Sequence, residues 1–82
     1  MGWIAYVLRS ETRGTLYKGS CSDLAKRLKR HNGGCVRSTK AGVPWNVVHT
    51  EEFDSKTEAL KRERFLKSRS GYRWLKQQGL LS

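Results

Sequence analysis

Glu63 is a charged residue where the helical pattern around it calls for an apolar one. From Ser55 to Lys67 the chain has helical periodicity, and at about 100° per residue Glu63 projects beside Ala59 and Leu66 on the apolar stripe. An ionised carboxylate on such a face is costly unless a cation, a metal ion or several hydrogen-bond donors meet it. Glu63 therefore indicates either a pairing that the fold needs or a carboxylate poised for chemistry.

Two tyrosines near the N-terminus can act with this carboxylate. Apolar runs around Tyr6 and Tyr17 predict the two strands of a β-hairpin. With the turn centred between Glu11 and Thr12, the two tyrosines stand directly opposite each other on the same side of the sheet. Paired phenols can hold a water molecule or a phosphate, although a plain cross-strand contact between the rings is the more frequent explanation.

A basic helix supplies two further candidates. Ser22, followed by Asp23, predicts the cap of a helix that continues to His31 and stops at the glycines after it. Arg27 and His31 are one turn apart at the border of its apolar face, so both can reach into a cleft. His31 has an alternative role as a helix C-terminal residue that suits the helix dipole. The other basic residues face away from the leucines and are predicted to contact phosphates: Lys26, Lys29 and Arg30.

An irregular basic segment and a third strand come next. Residues 33–44 hold three glycines and the only proline, which predicts a loop. Its Arg37 and Lys40 are added to the predicted phosphate contacts. Residues 45–53 resume a strand pattern beside the hairpin, and Trp45 is expected in the core or as a lid over the sheet rather than as a platform for stacking a base.

Two helices complete the predicted order. Ser55 to Glu58 form a capping box of the S-x-x-E type, so the helix that carries Glu63 starts there and ends near Ser68, before a last short helix. The order β-β-α-β-α-α predicts an α+β fold, a three-stranded, mainly antiparallel sheet flanked by helices. Residues 1–82 are expected to form a single domain, with a core over about residues 3–67 and a C-terminal helix over about residues 69–78.

The charge of the chain indicates a polyanionic partner. Seventeen Lys and Arg against seven Asp and Glu give a formal charge of +10 and a pI near 10.2. Nucleic acid is the first candidate. No long apolar run and no signal peptide are present, which predicts a cytoplasmic protein without a membrane segment. Cys21 and Cys35 are too few for a disulfide scaffold, and with His31 and His49 they lack the closely paired ligands of a structural zinc site.

Five ordered strings of the sequence resemble one known family. They are WIAYVLRS, LYKGS, DLAKRLKRHN, PWNVV and EALKRERFLK. Together they are similar to the GIY-YIG nucleases, specifically the small stand-alone kind with a URI-type domain. The resemblance covers roughly residues 3–67. The chain departs from the family pattern at Ile4-Ala5-Tyr6, at Lys18 in place of the usual isoleucine, and in having asparagine only at positions 32 and 46.

The resemblance implies a metal-dependent endonuclease that hydrolyses DNA phosphodiester bonds, in DNA repair or recombination. The implied cofactor is a single Mg²⁺ or Mn²⁺ ion, and the implied partner is DNA, held mainly through its phosphates. Lys18 is expected either to point at a bound phosphate or to lie on the solvent side of an edge strand. The implied catalytic residues are Tyr6, Tyr17, Arg27, His31 and Glu63, with Gly19 as the motif glycine and Glu63 as the metal ligand.

Each of these residues has a role in the expected chemistry. Tyr6 is the first choice as general base, Tyr17 holds the water or the phosphate, and His31 relays the proton. Arg27 neutralises charge that develops on the phosphate, or else pairs with Glu63 simply to join two helices. Two other functions stay open: a nucleic-acid-binding domain that kept the fold with little or no activity, and a small basic protein associated with RNA or the ribosome.

Overall fold

A computed structural model describes residues 2–80, and its elements follow the predicted order β-β-α-β-α-α. The three strands are β1 (Trp3–Ser10), β2 (Leu16–Cys21) and β3 (Trp45–Phe53). The three helices are α1 (Leu24–Asn32), α2 (Lys56–Lys67) and α3 (Arg69–Gln77). The predicted loop before β3 contains a single 3-10 turn at Lys40–Gly42. Within residues 2–80, no helix is both long enough and apolar enough to cross a membrane.

The strands form one sheet in the order β2-β1-β3, and both neighbouring pairs are antiparallel. The predicted register of the hairpin is wrong, because Tyr6 pairs with Gly19 and Leu8 pairs with Tyr17. Gly14 takes a positive φ of 71°, which only glycine adopts easily, and this moves the turn towards the C-terminal side. The shift equals two residues, so Tyr6 and Tyr17 remain diagonal neighbours on one face of the sheet.

The sheet separates two small apolar cores because alternate residues of β1 point to opposite faces. On one face, Tyr6 and Leu8 pack with Trp45 and with the leucines of α1. On the other face, Val7 packs with Leu66 of α2 and Leu75 of α3. Trp45 is therefore a core residue, one of the two roles expected for it.

The helix ends explain how the chain turns between these layers. α1 is capped by Asp23, whose side chain accepts a hydrogen bond from the Lys26 amide at 3.1 Å, and not by Ser22 as the sequence pattern indicated. A carboxylate at this position also suits the positive end of the helix dipole. The predicted Ser55 cap of α2 is present, with its hydroxyl accepting from the Glu58 amide at 3.2 Å.

The end of α1 is tied to the start of β3 by Asn32. Its side-chain oxygen accepts from the Trp45 amide at 2.6 Å, and its side-chain nitrogen donates to the Trp45 carbonyl at 3.1 Å. This amide pair satisfies both backbone groups of Trp45, where the loop re-enters the sheet. Asn32 thus fixes the position of α1, and with it Arg27 and His31, relative to the strands.

Candidate active site

One open cavity of about 330 Å³ beside β2 collects most of the predicted catalytic residues. Tyr6, Tyr17, Arg27 and Glu63 all line it, together with Gly19 and Ser20 of β2. The remaining lining residues are Trp3, Lys56 and Leu60. His31 lies behind the cavity, in contact with Tyr6. Four residues that are far apart in the sequence therefore share one concave surface.

The cavity is built from both faces of the sheet. Tyr6 and Tyr17 belong to the face that packs on α1, whereas α2, which carries Glu63, covers the opposite face. The two groups meet because β2 is an edge strand, so the Glu63 side chain reaches the same opening through its contact with Ser20. The sheet edge thus brings phenols and carboxylate together without placing them on one face.

Gly19 allows the close approach of β2 to the Tyr6 phenol. A Cβ atom at this position would lie 2.6 Å from the Tyr6 hydroxyl oxygen and 2.7 Å from its Cζ atom. Such contacts are shorter than van der Waals packing allows. The motif glycine therefore has a steric reason in this chain: it leaves room for the hydroxyl at the wall of the cavity.

The Glu63 carboxylate is held by a hydroxyl and a cation. Oε1 accepts a hydrogen bond from the Ser20 hydroxyl at 2.6 Å, and Oε2 pairs with Lys67 Nζ at 2.6 Å. Its side chain is 18% exposed. Within residues 2–80 its ion pair is with Lys67 and not with Arg27, so the alternative in which Arg27 pairs with Glu63 to join two helices is not formed.

A chain of hydrogen bonds runs inward from the Tyr6 hydroxyl. Tyr6 Oη lies 3.1 Å from His31 Nε2, and His31 Nδ1 lies 2.8 Å from Thr39 Oγ1. Thr39 donates its only hydroxyl hydrogen to the Val36 carbonyl at 3.3 Å, so it must accept from His31 Nδ1–H. His31 Nε2 then carries no proton and accepts from the Tyr6 hydroxyl. Tyr6, His31 and Thr39 are all buried.

Burial shifts the pKa of both titratable members of this chain towards the neutral form. Desolvation, followed by the neighbouring Tyr17, raises the pKa of Tyr6 well above its ordinary value, while the Arg27 charge partly opposes the shift. Desolvation, with the charges of Arg27 and Arg30, lowers the pKa of His31. At neutral pH the pair is therefore a phenol that donates to a neutral imidazole, in agreement with the hydrogen-bond directions.

Lys18 is the predicted site residue that lies apart from this cavity. It pairs with Val7, so its side chain projects to the face opposite Tyr17 and Gly19. There it is partly buried, and desolvation together with the charge of Lys67 lowers its pKa. β2 is an edge strand, and the Lys18 side chain lies on the face of the sheet that α2 covers, so its expected contact with a bound phosphate stays a prediction.

The other predicted phosphate contacts are exposed on a different surface. Lys26, Lys29 and Arg30 line a shallow groove on the outer side of α1, next to Gly33 and Cys35. Arg37 and Lys40 are exposed in the loop that follows. The structure thus separates a basic outer surface from the cavity that contains the phenols and the carboxylate.

Glu63 is the acidic residue in the cavity lining, so a divalent cation there would have one carboxylate from the protein as its ligand. Within residues 2–80, no three His, Cys, Asp or Glu side chains are grouped as a metal cage, so the zinc set considered above does not assemble. Mg²⁺ commonly uses one or two carboxylates and completes its shell with water and substrate phosphates. Glu63 beside an open cavity suits such a site.

Two residues of the site carry no recognisable signal in the sequence. Thr39 lies in an irregular loop, where neither helix nor strand periodicity relates it to His31. Ser20 is one polar residue in an edge strand, and its contact with Glu63 depends on how α2 packs on the sheet. Both contacts form only when separate segments of the chain pack together.

The sequence and the fold of this chain are similar to those of known proteins. Residues 2–76 match the GIY-YIG catalytic domain. A UPF0213 protein of Staphylococcus saprophyticus is 44% identical over 64 residues, which cover 77% of this chain and 78% of that protein. A UPF0213 protein of Halobacterium salinarum is 41% identical over 58 residues, covering 70% and 75% respectively. The NMR structure of a UPF0213 protein from Bacillus halodurans is 30% identical, with a TM-score of 0.55 over 93% of this chain and 83% of that one.

Proposed function

Since the chain belongs to the GIY-YIG catalytic domain family, we propose that it is a metal-dependent endonuclease that hydrolyses phosphodiester bonds in DNA. The observation that supports this most is the cavity that Tyr6, Tyr17, Arg27 and Glu63 line together. Phosphodiester hydrolysis needs an activated water, neutralisation of charge on phosphate oxygens and help for the leaving oxygen. The cavity contains a residue type suited to each need.

Tyr6 and His31 activate the water in this proposal. A water proton passes to the Tyr6 phenolic oxygen while the Tyr6 proton passes to His31 Nε2, so that hydroxide attacks phosphorus and His31 becomes imidazolium. The raised pKa of Tyr6 makes a free phenolate rare at neutral pH, so both transfers occur together. Thr39 supports the relay because it accepts from Nδ1–H and leaves Nε2 free to receive the proton.

Arg27 and Tyr17 act on the phosphate. The Arg27 guanidinium is always charged and offers a planar fork of donors, which suits the oxygens of a phosphate. Its charge also lowers the pKa of Tyr6, which eases proton loss from the phenol. Tyr17 lines the same cavity and orients the water or a phosphate oxygen through its hydroxyl.

Glu63 is the residue that would hold Mg²⁺ or Mn²⁺, with Ser20 fixing the orientation of its carboxylate. Such an ion would supply neutralisation of the negative charge that develops during hydrolysis. Exposed basic residues outside the cavity then hold the DNA backbone without reading its sequence. These are the five residues of α1 and the following loop, Lys26, Lys29, Arg30, Arg37 and Lys40.

A nicking assay tests the proposal. Supercoiled plasmid incubated with the purified chain and Mg²⁺ or Mn²⁺ is expected to become nicked, and chelation with EDTA is expected to stop the reaction. Glu63→Gln is expected to abolish nicking while retaining DNA binding. Glu58→Gln is the matched control, because Glu58 is exposed on the same helix and has no contact with the cavity. Equal nicking by wild type and Glu63→Gln would assign the activity to another site or to a contaminant.

A nucleic-acid-binding domain without hydrolysis is the second candidate. The observation that favours it is the engagement of both Glu63 oxygens, one by Ser20 and one by Lys67. In that case DNA affinity falls steeply with salt, is independent of divalent metal, and is unchanged in Glu63→Gln. Absence of nicking by the wild-type chain, together with such binding, would select this function.

A further inference from the structure

The exposed side of α3 combines one aromatic ring with three cations. Tyr72 is 54% exposed, a larger fraction than for Val47 or Leu60, which are each 36% exposed. At about 100° per residue, the side chains of Arg69, Arg73 and Lys76 project within about 100° of Tyr72, on one side of it around the helix axis. All of them are exposed. We call these residues, Arg69, Tyr72, Arg73 and Lys76, the α3 outer face.

The opposite side of α3 seats the helix firmly. Leu75 is fully buried in the core with Val7 and Leu66. A Cβ atom at Gly71 would collide with the backbone carbonyl of Phe65, so the glycine permits close packing against the end of α2. The first turn is capped by Ser68, whose hydroxyl accepts from the Gly71 amide at 3.2 Å. The α3 outer face is therefore presented from a fixed element, not from a loose tail.

Within residues 2–80, no carboxylate forms an ion pair with a cation of this face. Residues 64–82 contain five Lys and Arg and no Asp or Glu. The ion pairs among residues 2–80 all lie on β3 and α2, and none of them includes a residue of α3. A helix face with three uncompensated cations attracts a polyanion.

Tyr72 indicates what kind of polyanion fits. An exposed aromatic ring among cations is the arrangement that holds single-stranded nucleic acid, since a base stacks on the ring while basic groups contact the flanking phosphates. In a paired duplex the base faces are stacked against each other, so none of them is free to stack on a tyrosine ring.

We propose that the α3 outer face is a second DNA-binding site, which holds an unpaired segment of the strand by stacking one base on Tyr72. Arg69, Arg73 and Lys76 contact the phosphates on either side. The proposal rests on the proposed function only in taking DNA as the polymer. It predicts that the chain binds DNA with an unpaired segment more tightly than fully paired DNA.

Binding of a labelled single-stranded oligodeoxynucleotide to the full chain in EDTA tests the stacking. Tyr72→Ala is expected to weaken binding by about tenfold or more, as loss of one stacked base does. Tyr72→Phe is expected to bind like the wild type, because the ring remains. Val47→Ala is the matched control for truncating another exposed apolar side chain, and it is expected to bind unchanged.

The duplex of the same sequence provides the comparison. Tyr72→Ala is expected to leave duplex affinity unchanged, whereas Arg73→Ala is expected to weaken binding of the single strand and lower its salt slope by about 0.7. Equal loss in Tyr72→Phe and Tyr72→Ala would indicate a hydroxyl contact and overturn the stacking. Equal loss for duplex and single strand, or tighter binding of the matching RNA, would also overturn the proposal.

The outcome is separable from that of the nicking assay. Binding in EDTA needs neither metal nor cleavage, so it can succeed when plasmid nicking fails. Cross-linking of an oligodeoxynucleotide that contains 5-iodouracil gives a direct readout, with the expected adduct on Tyr72. An adduct on α1 alone, with none on α3, would place the single strand on the other basic surface and reject this site.

Discussion

The Tyr6 hydroxyl donates to His31 Nε2 at 3.1 Å in a buried contact between β1 and α1. His31 in turn donates from Nδ1 to Thr39 at 2.8 Å. The buried Tyr6 phenol thus has His31 as its proton acceptor. Thr39, which lies outside the five strings that resemble the family, holds His31 in a single tautomer. The relay proposed for water activation depends on this order of donors and acceptors.

Replacing Thr39 should disturb the relay without touching the cavity. Thr39→Val leaves His31 Nδ1–H buried without an acceptor, at a cost of about 1–3 kcal/mol in stability. The nicking rate is expected to fall at least about tenfold, because the orientation of the proton acceptor is lost. Thr39→Ser should restore both. The ¹⁵N shifts of His31 report the tautomer directly, and an unchanged tautomer in Thr39→Val would contradict the positioning role.

Gly19→Ala should displace the Tyr6 phenol. The added methyl group would lie 2.6 Å from the hydroxyl oxygen, so the ring or β2 must move. Overpacking of this kind costs about 1–3 kcal/mol. Thermal unfolding measures that cost, and nicking by the folded fraction is expected to be strongly reduced. Full activity in a folded Gly19→Ala variant would show that Tyr6 need not stay where the structure places it.

The lowered pKa of His31 makes stability depend on pH in a defined direction. Above about pH 6.5, the ordinary histidine pKa, folded and unfolded chains both hold a neutral His31. Below it the unfolded chain takes up the proton first, so the free energy of unfolding decreases as the pH falls, by at most about 1.4 kcal/mol per pH unit for this group.

Denaturant unfolding between pH 7 and pH 5 checks this dependence. His31→Gln is expected to be less stable at pH 7 and to lose much of the slope. Nicking requires a neutral His31 to accept the Tyr6 proton. Because the pKa of His31 is lowered, nicking is expected to persist below pH 6.5. A wild-type stability that rises on acidification would have the wrong sign for a buried neutral imidazole.

Ser20→Ala tests the support of the carboxylate. The change removes the donor to Glu63 Oε1, and loss of such an outer contact to a metal ligand typically weakens metal affinity about 10–100-fold. Titration with Mn²⁺ in the presence of uncleavable DNA measures this affinity. Ser22→Ala is the matched control, since Ser22 is exposed just after β2. Equal Mn²⁺ affinity in both variants would remove Ser20 from the proposed site.

Local patterns predicted the elements well because each element has its own signal. The third strand has the predicted bounds, and Glu63 lies beside Ala59 and Leu66 as helical phase required. The tyrosines share a face even though their register was wrong, because side chains alternate with a period of two and the error was an even number of residues.

Contacts between elements were beyond the reach of periodicity. Arg27 is the ionic partner that the sequence analysis considers for Glu63, whereas the partner in the structure is Lys67, one turn further along α2. The Thr39 acceptor depends on how the loop before β3 folds back over α1. The sequence left two positions open for Lys18, because one lysine in a short strand does not show which face is covered by a helix.

Because the cavity lies at the β2 edge, its two halves are supported by different hydrophobic cores. The phenols and the imidazole rest on the core beneath α1, while the carboxylate rests on the core beneath α2 and α3. Substitutions at Leu66 or Leu75 are therefore expected to displace Glu63 before they displace Tyr6. Substitutions at Leu28 of α1 are expected to have the opposite order of effects. A substitution in one core is therefore expected to impair one half of the chemistry before it impairs the other.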